Sequence, residues 1–122
     1  MPKIADAELE VMNVLWSSSP LTANQIVEAL QDRKSWDPRT TKTLINRLHN
    51  KGAVGFQKDG RRYLYFPLVS KRDYIESETK SFVSKFQYGM LGPVLSTFLE
   101  EANLTGEELN ELRRLLDEKG KE

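Results

Sequence analysis

The spacing of the apolar residues changes twice along this chain, and this change constrains the fold more than any other feature. From Asp6 to Gly52 apolar residues recur every three or four positions, the period of a helix with one buried face. Between Val54 and Phe66 two short β-type runs flank Asp59-Gly60, a pair that favours a type I′ hairpin turn. Helical spacing returns after Ser70. This order predicts three helices, a hairpin and three further helices.

Capping signals predict the limits of the first three helices. Asp6 is a candidate N-cap for the first helix, and the serine run before Pro20 ends that helix. Thr22-Ala23-Asn24-Gln25 has the form of a capping box, which predicts the start of the second helix. Asp37-Pro38 predicts an N-cap followed by the first residue of the third helix. Gly52 is expected to end that helix, because glycine readily adopts the left-handed cap conformation.

The second half of the chain has its own boundary signals. Pro67 ends the second strand, and Ser70-Lys71-Arg72-Asp73 repeats the capping-box pattern at the start of a fourth helix. Gly92-Pro93 is expected to interrupt the helical pattern, so that the fifth helix runs from Val94 to Ala102. Thr105 has the residue pattern that caps a sixth helix.

These elements predict a mainly α fold with a small β-hairpin. Their order is that of a winged helix-turn-helix followed by a three-helix dimerisation region. We expect residues 1–70 to form a DNA-binding domain and residues 71–122 a helical dimerisation domain. In such a winged domain the third helix enters the DNA major groove, and the hairpin lies beside the backbone or the minor groove.

Composition excludes several classes of function. The chain has no cysteine and one histidine, which excludes disulfides, thiolate nucleophiles and cysteine-based zinc sites. No clustered carboxylate pair stands out, so neither an enzyme nor a bound metal or cofactor is predicted. No apolar run approaches a membrane span, and Asp6 follows the start of the chain too closely for a signal peptide. We therefore expect a cytoplasmic protein with no membrane insertion.

The net charge of zero conceals two regions of opposite sign. Eighteen basic residues balance eighteen acidic ones over the 122 residues. Between Arg33 and Phe66, however, nine basic residues stand against two acidic ones, a net charge of +7. From Asp73 to Glu122, six basic residues stand against eleven acidic ones, a net charge of -5. The cations thus coincide with the elements expected to contact DNA.

The third helix is expected to carry a polar and cationic face opposite its apolar stripe. Its inward-facing side chains are predicted to be Thr41, Leu44, Ile45 and Leu48. Arginine, asparagine and threonine on the other side have the donors and acceptors that recognise base edges. Backbone N–H groups near Arg39 and Thr40 are expected to add a phosphate seat. The predicted DNA contacts are Arg39, Thr40, Lys42, Thr43, Asn46, Arg47 and Asn50 on the helix, with Lys58, Arg61 and Arg62 in the hairpin.

Two other interpretations stay open. A single cationic helix face is more often solvated surface than a binding site. The chain could also be a winged-helix interaction module that binds protein and never contacts DNA. The cations Lys58, Arg61 and Arg62 beside a glycine turn favour a polyanion as the partner over both interpretations.

The last three helices carry more apolar surface than they can bury alone. The candidate dimerisation residues are Phe82, Phe86, Leu91, Leu95, Phe98, Leu99, Leu109, Leu112 and Leu116. A two-fold related copy would cover them and would place two DNA-binding domains on two half-sites. The alternative is that this region folds back on its own winged domain.

Four segments together resemble one family. They are Glu10–Trp16 (EVMNVLW), Thr22–Val27 (TANQIV), Thr43–Leu48 (TLINRL) and Glu107–Arg113 (EELNELR). Their order and spacing resemble the BlaI/MecI family of penicillinase and methicillin-resistance repressors, and the resemblance extends over almost the whole chain.

The resemblance implies a homodimeric winged-helix repressor that binds a palindromic operator. It also implies induction by a membrane-bound sensor protease that cuts the C-terminal domain, and release by another signal stays open. The family is cut between asparagine and phenylalanine, and the matching bond here is Thr97-Phe98, which makes this bond the candidate cut. Copper-responsive relatives carry a cysteine-rich C-terminal motif, and the absence of cysteine excludes copper sensing by that motif.

Overall fold

A computed structural model describes all residues from 1 to 122. The elements are α1 Asp6–Ser17, α2 Ala23–Lys34, α3 Pro38–Asn50, β1 Val54–Asp59, β2 Arg62–Pro67, α4 Lys71–Lys85, α5 Leu91–Glu101 and α6 Gly106–Gly120. The predicted order of elements is confirmed. The chain divides into two compact units, Met1–Thr79 and Lys80–Glu122. None of the helices is long and apolar enough to cross a membrane.

The core of the first unit lies among α1, α2 and α3. Each of these helices buries one stripe, as the sequence period predicts. The fully buried side chains include Met12, Leu15, Ile26, Leu30 and Leu48. Thr41 is also fully buried, and its hydroxyl has no hydrogen-bond partner. These contacts fix which side of α3 can face outward.

The predicted caps of α2 and α3 are confirmed. Thr22 Oγ1 accepts a hydrogen bond from Gln25 N at 3.2 Å, and Gln25 Oε1 accepts one from Thr22 N at 2.8 Å. The Asp37 carboxylate accepts from Arg39 N at 2.8 Å, with proline in the first turn of α3. Gly52 follows α3 at φ +79°, the left-handed conformation that glycine adopts at least cost.

The predicted N-cap of α1 is wrong by one residue. Asp6 lies within the helix, and Ala5 is the cap residue. The alanine side chain accepts no hydrogen bond, but Glu8 supplies the other half of a capping box, because its Oε1 accepts from Ala5 N at 2.8 Å. Asp6 still lies in the first turn, where a negative charge is favourable to the helix dipole.

Glu8 also connects α1 to the end of α3. Its side chain is 2% exposed and forms an ion pair with the ammonium of Lys51, the C-cap residue of α3. The same ammonium donates to the carbonyl of Lys3 at 2.9 Å. Burial by itself would raise the pKa of the Glu8 carboxyl. The hydrogen bonds from Lys51 and Ala5, and the positive charges nearby, outweigh burial and hold this pKa below its usual value.

Strands β1 and β2 form an antiparallel hairpin, which we call the wing. Their register pairs Phe56 with Tyr65 and Asp59 with Arg62. The two turn residues are therefore Gly60 and Arg61, one position later than predicted. Of these two, only Gly60 has a positive φ, at +65°, as in a type II′ turn rather than the predicted type I′ turn.

A third segment pairs with the wing. Leu21 N donates to Tyr65 O at 3.0 Å, and Tyr65 N donates to Leu21 O at 2.7 Å. This bridge ties the residues before α2 to the second strand. The wing is thereby attached to the helix-turn-helix by backbone hydrogen bonds as well as by side chains.

The start of α4 belongs to the first unit. Trp16 Nε1 donates to Val69 O at 2.9 Å, and its ring lies 5.5 Å from that of Tyr74. Ser70 Oγ accepts from Asp73 N at 3.0 Å, as the capping pattern predicts. The boundary between the units lies inside α4, after Thr79. The functions expected for residues 1–70 and 71–122 stay predictions.

The second unit contains the end of α4, with α5 and α6. Helix α5 begins at Leu91 rather than Val94, so Gly92 and Pro93 lie in its first turn instead of preceding it. Proline is tolerated there because the first N–H groups of a helix have no partner within it. Thr105 caps α6 in a reciprocal box with Glu108, as predicted.

The ion pair between buried Glu8 and partly exposed Lys51 predicts a stability that depends on pH. Glu8→Gln is expected to lower the free energy of unfolding by about 1–2 kcal/mol near neutral pH, because a charge-assisted hydrogen bond is lost. The folded pKa of Glu8 lies below the usual 4.5. Its contribution is therefore complete above that value and is lost as the pH falls through the folded pKa.

Urea unfolding from neutral pH down to about pH 3 measures this contribution. The two stability curves should converge on acidification. Glu10→Gln is the matched control on the same helix, since Glu10 is more exposed and its pair with Lys34 is longer, at 3.4 Å. A difference that stays constant throughout the acid range would contradict the assigned role of Glu8.

Candidate nucleic-acid interface

The buried stripe of α3 determines the face that the helix presents. All four side chains predicted to face inward are buried. The other side of the helix is open to solvent over its full length. Pro38 and His49 are exposed, and so are all seven predicted DNA contacts of α3, namely Arg39, Thr40, Lys42, Thr43, Asn46, Arg47 and Asn50.

The start of α3 differs from the prediction in one respect. The N–H of Arg39 donates to the Asp37 carboxylate, and the N–H of Thr40 donates to the Asp37 carbonyl at 2.9 Å. Both groups expected to form a phosphate seat already have partners. Asp37, which caps the helix, therefore takes the two N–H groups that were expected to bind phosphate. Polar contacts with DNA would have to come from the side chains of α3.

The wing places its three predicted cations at its exposed tip. Arg61 lies in the turn, with Lys58 and Arg62 at the ends of the strands. Arg62 forms an ion pair with Asp59 at 2.9 Å, and both side chains are more than half exposed. Exposed pairs of this kind contribute little to stability, so phosphate can replace the carboxylate at small cost.

Ion pairs reduce the free charge of the region from Arg33 to Phe66. Lys34 pairs with Glu10, and Lys51 is held by the buried Glu8. Lys51 therefore connects α1 and α3, and its ammonium is not a free cation of the interface. The net charge of this region overstates its free positive charge, although the cations of the exposed α3 face form no ion pair.

Aromatic rings join the wing to α3. The ring of Phe56 lies 4.5 Å from that of Tyr63, 5.1 Å from His49 and 5.9 Å from Tyr65. Burial and the neighbouring Tyr63 raise the pKa of Tyr65. Phe56, Tyr63 and Tyr65 are absent from the predicted contacts. The alternation of side chains along a paired hairpin is the signal that would have placed these three on one face.

Two adjoining cavities lie between α3, the start of α2 and the wing, and we call them together the trough. The first, of about 400 Å³, is lined from α3 by Lys42, Ile45, Asn46 and His49, and from the wing by the aromatic residues. The second, of about 510 Å³, is lined by residues 22–25, Lys42, Arg61, Arg62 and two of the tyrosines. No carboxylate lines either cavity.

The trough brings some of the predicted DNA contacts together and leaves others apart. Lys42 lines both cavities, Asn46 lines the first, and Arg61 and Arg62 line the second. The other predicted residues of α3 and Lys58 lie outside it. The chain has no group of three His, Cys, Asp or Glu residues that could hold a metal ion.

The second unit leaves its candidate dimerisation residues at least partly accessible. Phe98 is 50% exposed and Leu116 is 70% exposed, whereas Phe86 and Leu112 are partly buried. The Thr97-Phe98 bond lies inside α5, and Thr97 Oγ1 donates to Pro93 O at 2.9 Å. The candidate cut is therefore an exposed bond in helical conformation.

Comparison with known proteins finds relatives in sequence over almost the whole chain. The penicillinase repressor family model matches residues 4–118. The chain is 42% identical over 118 residues to the penicillinase repressor of Bacillus licheniformis, covering 97% of this chain and 92% of the relative. It is 37% identical over 117 residues to the methicillin resistance regulatory protein MecI of Staphylococcus aureus, covering 96% of this chain and 95% of the relative.

A solved structure matches the first unit. It is the monomeric form of Bacillus licheniformis BlaI in complex with the blaP half-operator, with a TM-score of 0.54 and 41% identity, covering 60% of this chain and 89% of that one. The winged-helix fold predicted from the order of elements is confirmed by this likeness. The chain therefore belongs to the penicillinase repressor family of transcriptional repressors.

Proposed function

We propose that this protein represses transcription by binding a palindromic DNA operator as a homodimer. In this proposal α3 lies in the major groove, and the wing lies on the backbone beside it. The observation that carries the proposal is the exposed cationic face of α3 next to a cationic wing tip. A polyanion neutralises such a surface, and operator occupancy would block a promoter. Action on the chromosome would place the protein in the cytoplasm.

Within this interface, α3 supplies both base and phosphate contacts. Arg39 and Asn46 have the bidentate donors and acceptors that suit guanine and adenine. The threonines Thr40 and Thr43 offer hydroxyl and methyl groups, while Lys42, Arg47 and Asn50 border the groove and suit phosphates. The complex of a relative with its half-operator supports this assignment by likeness of fold and by 41% identity.

The proposed dimer is supported by the exposed apolar surface of the second unit. Leu91, Leu95, Phe98 and Leu99 are each about half exposed on α5. Apolar patches of this kind are rare on monomers and mark interfaces. A homodimer would hold two winged units on half-sites one helical turn apart or a multiple of it.

An interaction module that binds only protein is the alternative, and it fits less well. Such a module has no use for a cationic α3 face opposite a cationic turn. The family is one of repressors, which is not an enzyme class.

Release of the repressor by proteolysis forms the last part of the proposal. A membrane-bound sensor protease would cut between Thr97 and Phe98. Helix α5 has no side-chain cap and buries no residue completely, so local unfolding of this helix is inexpensive. Cleavage there would remove α6, together with Phe98 and Leu99 of α5, from the DNA-binding unit.

DNA binding is expected to depend steeply on salt. If the dimer neutralises about eight phosphates, the logarithm of the binding constant should fall with the logarithm of the salt concentration at a slope of about -7. Arg61→Ala should weaken binding to operator and random DNA alike and make the slope less steep by about one per protomer. A gel-shift titration against the region upstream of the protein's own gene measures both effects.

Base recognition is tested in the same titration. Arg39→Ala and Asn46→Ala should each reduce the preference for operator over random DNA, with a loss of about 1–3 kcal/mol per half-site. Arg61→Ala serves as their control, because it should leave this preference unchanged. No binding at low salt would refute the proposed function, and equal losses on both DNAs would refute the assignment of base contacts.

The tail is expected to hold the dimer together. Phe98→Asp combined with Leu112→Asp should yield monomers in sedimentation experiments, with much weaker operator binding, because charge is placed in an apolar interface. Ser96→Asp combined with Asn110→Asp adds the same charge at exposed polar positions and should leave the dimer intact. A dimer that survives the first pair of substitutions would contradict the tail assignment.

Cleavage is expected in cells that are induced by a β-lactam antibiotic. Mass spectrometry of the recovered repressor should detect a fragment ending at Thr97. Phe98→Leu keeps an apolar side chain in the proposed dimer surface but removes the aromatic residue after the cut, and it should leave the protein whole and the target gene repressed. Repressor that stays uncut while the gene is expressed would refute release by this route.

A further inference from the structure

The aromatic residues that line the trough, Phe56, Tyr63 and Tyr65, have no role in the proposed contacts with bases and phosphates. Phe56 is 40% exposed and Tyr63 is 41% exposed, although both rings belong to a packed cluster. Cross-strand packing explains why these rings contact one another. It does not explain why so much aromatic surface stays open between two cationic elements.

We propose that one strand of the DNA backbone lies along the trough, with deoxyribose rings packed on Tyr63 and Phe56. Its phosphates then lie against Lys42 and Arg61. This inference rests on the proposed function. It adds apolar contacts with the deoxyribose to the proposed polar contacts with bases and phosphates. Tyr63 thereby becomes a DNA-binding residue that reads no base.

The position of the trough supports a backbone strand as the occupant. Lys42 and Asn46 belong both to the exposed face of α3 and to the trough lining. A helix in the major groove and a wing beside it are separated by one sugar-phosphate strand. The trough is the space between these two elements, and that strand has to pass through it.

The charge of the trough favours the same occupant. Lys42 and Arg61 form no ion pair, and no carboxylate lines the trough. Asp59 is held by Arg62 at 2.9 Å and directs no free charge toward it. A strand that alternates anionic phosphates with apolar sugar faces matches this alternation of cations and rings.

The geometry of the rings disfavours a flat ligand. The plane of Phe56 is tilted by 43° to His49, by 58° to Tyr63 and by 56° to Tyr65. A planar aromatic molecule gains most between parallel faces, which these rings do not offer. The puckered, non-planar deoxyribose ring packs well into a tilted aromatic corner.

The test compares two variants at one position. Tyr63→Ala should weaken binding of the full-length dimer about fivefold per protomer, and so about 25-fold overall, on operator and random DNA alike. The salt slope should stay at the wild-type value, because the exposed Lys58, whose ammonium lies 5.7 Å from the centre of the Tyr63 ring, keeps its charge when the ring is removed. Tyr63→Phe keeps the ring face and should bind like the wild type.

Leu64→Ala is the matched control, because Leu64 is the next residue of the same strand and alternation directs it to the opposite face of the wing. It should leave DNA affinity unchanged. Hydroxyl-radical footprinting of the wild type should show protected deoxyriboses between the two grooves, and Tyr63→Ala should lose this protection. Thermal unfolding of each variant confirms that the wing is retained.

Three results would overturn the inference. Unchanged affinity of Tyr63→Ala on DNA that the wild type binds would refute the sugar contact and leave the proposed function intact. A loss of affinity in Tyr63→Phe equal to that in Tyr63→Ala would assign the contact to the hydroxyl instead. A wild type that binds no DNA would refute the proposed function and this inference together.

Discussion

The proposed DNA-binding surface depends on the burial of one stripe of α3. Leu44, Ile45 and Leu48 pack into the core with α1 and α2, and this contact sets the rotation of the helix about its own axis. A helix turned by one residue would bury Lys42 or Arg47 in place of an apolar group, at a large desolvation cost. The hydrophobic core therefore determines which polar side chains of α3 face outward toward the proposed DNA site. No polar interaction is needed to set this orientation. The pair of Glu8 and Lys51 adds a fixed point at the end of the same helix.

The wing has a separate attachment to the same helix. Backbone hydrogen bonds of Leu21 hold its second strand next to the start of α2, and the Phe56 ring reaches His49 on α3. These two contacts hold both strands of the hairpin at one level, because Tyr65 and Phe56 are partners in the register, and they limit its freedom to swing. The distance between the α3 face and the wing tip is consequently a property of the folded unit. A surface of fixed shape pays less ordering entropy on binding than one that forms on contact with DNA.

The features predicted correctly from sequence are those set by neighbouring residues. The caps at Thr22 and Asp37 involve side chains within a few positions of one another, so the residue pattern determines them. The turn was misplaced by one residue because its position depends on strand register, which the packing of Phe56 against Tyr65 fixes. The role of Lys51 and the shape of the trough depend on contacts between residues that lie tens of positions apart in the sequence. A count of charges therefore could not distinguish Lys51, which is paired with Glu8, from the unpaired cations. The dimer surface of α5 and α6 stays a prediction, because the residues that would cover it belong to a second copy of the chain.

The separation of charge is sharper within the first unit than between the two units. Residues 1–79 carry twelve basic and ten acidic side chains, because the acidic residues Asp73, Glu76 and Glu78 of α4 lie before the boundary. Nine of those basic residues fall between Arg33 and Phe66, whereas eight of the ten acidic ones fall outside that range. A unit with almost no net charge but a strong internal asymmetry is attracted to a polyanion mainly through one face. Such an asymmetry would orient the unit during its approach to DNA and limit indiscriminate adhesion, because phosphates that attract the cations of α3 and the wing would repel the acidic remainder.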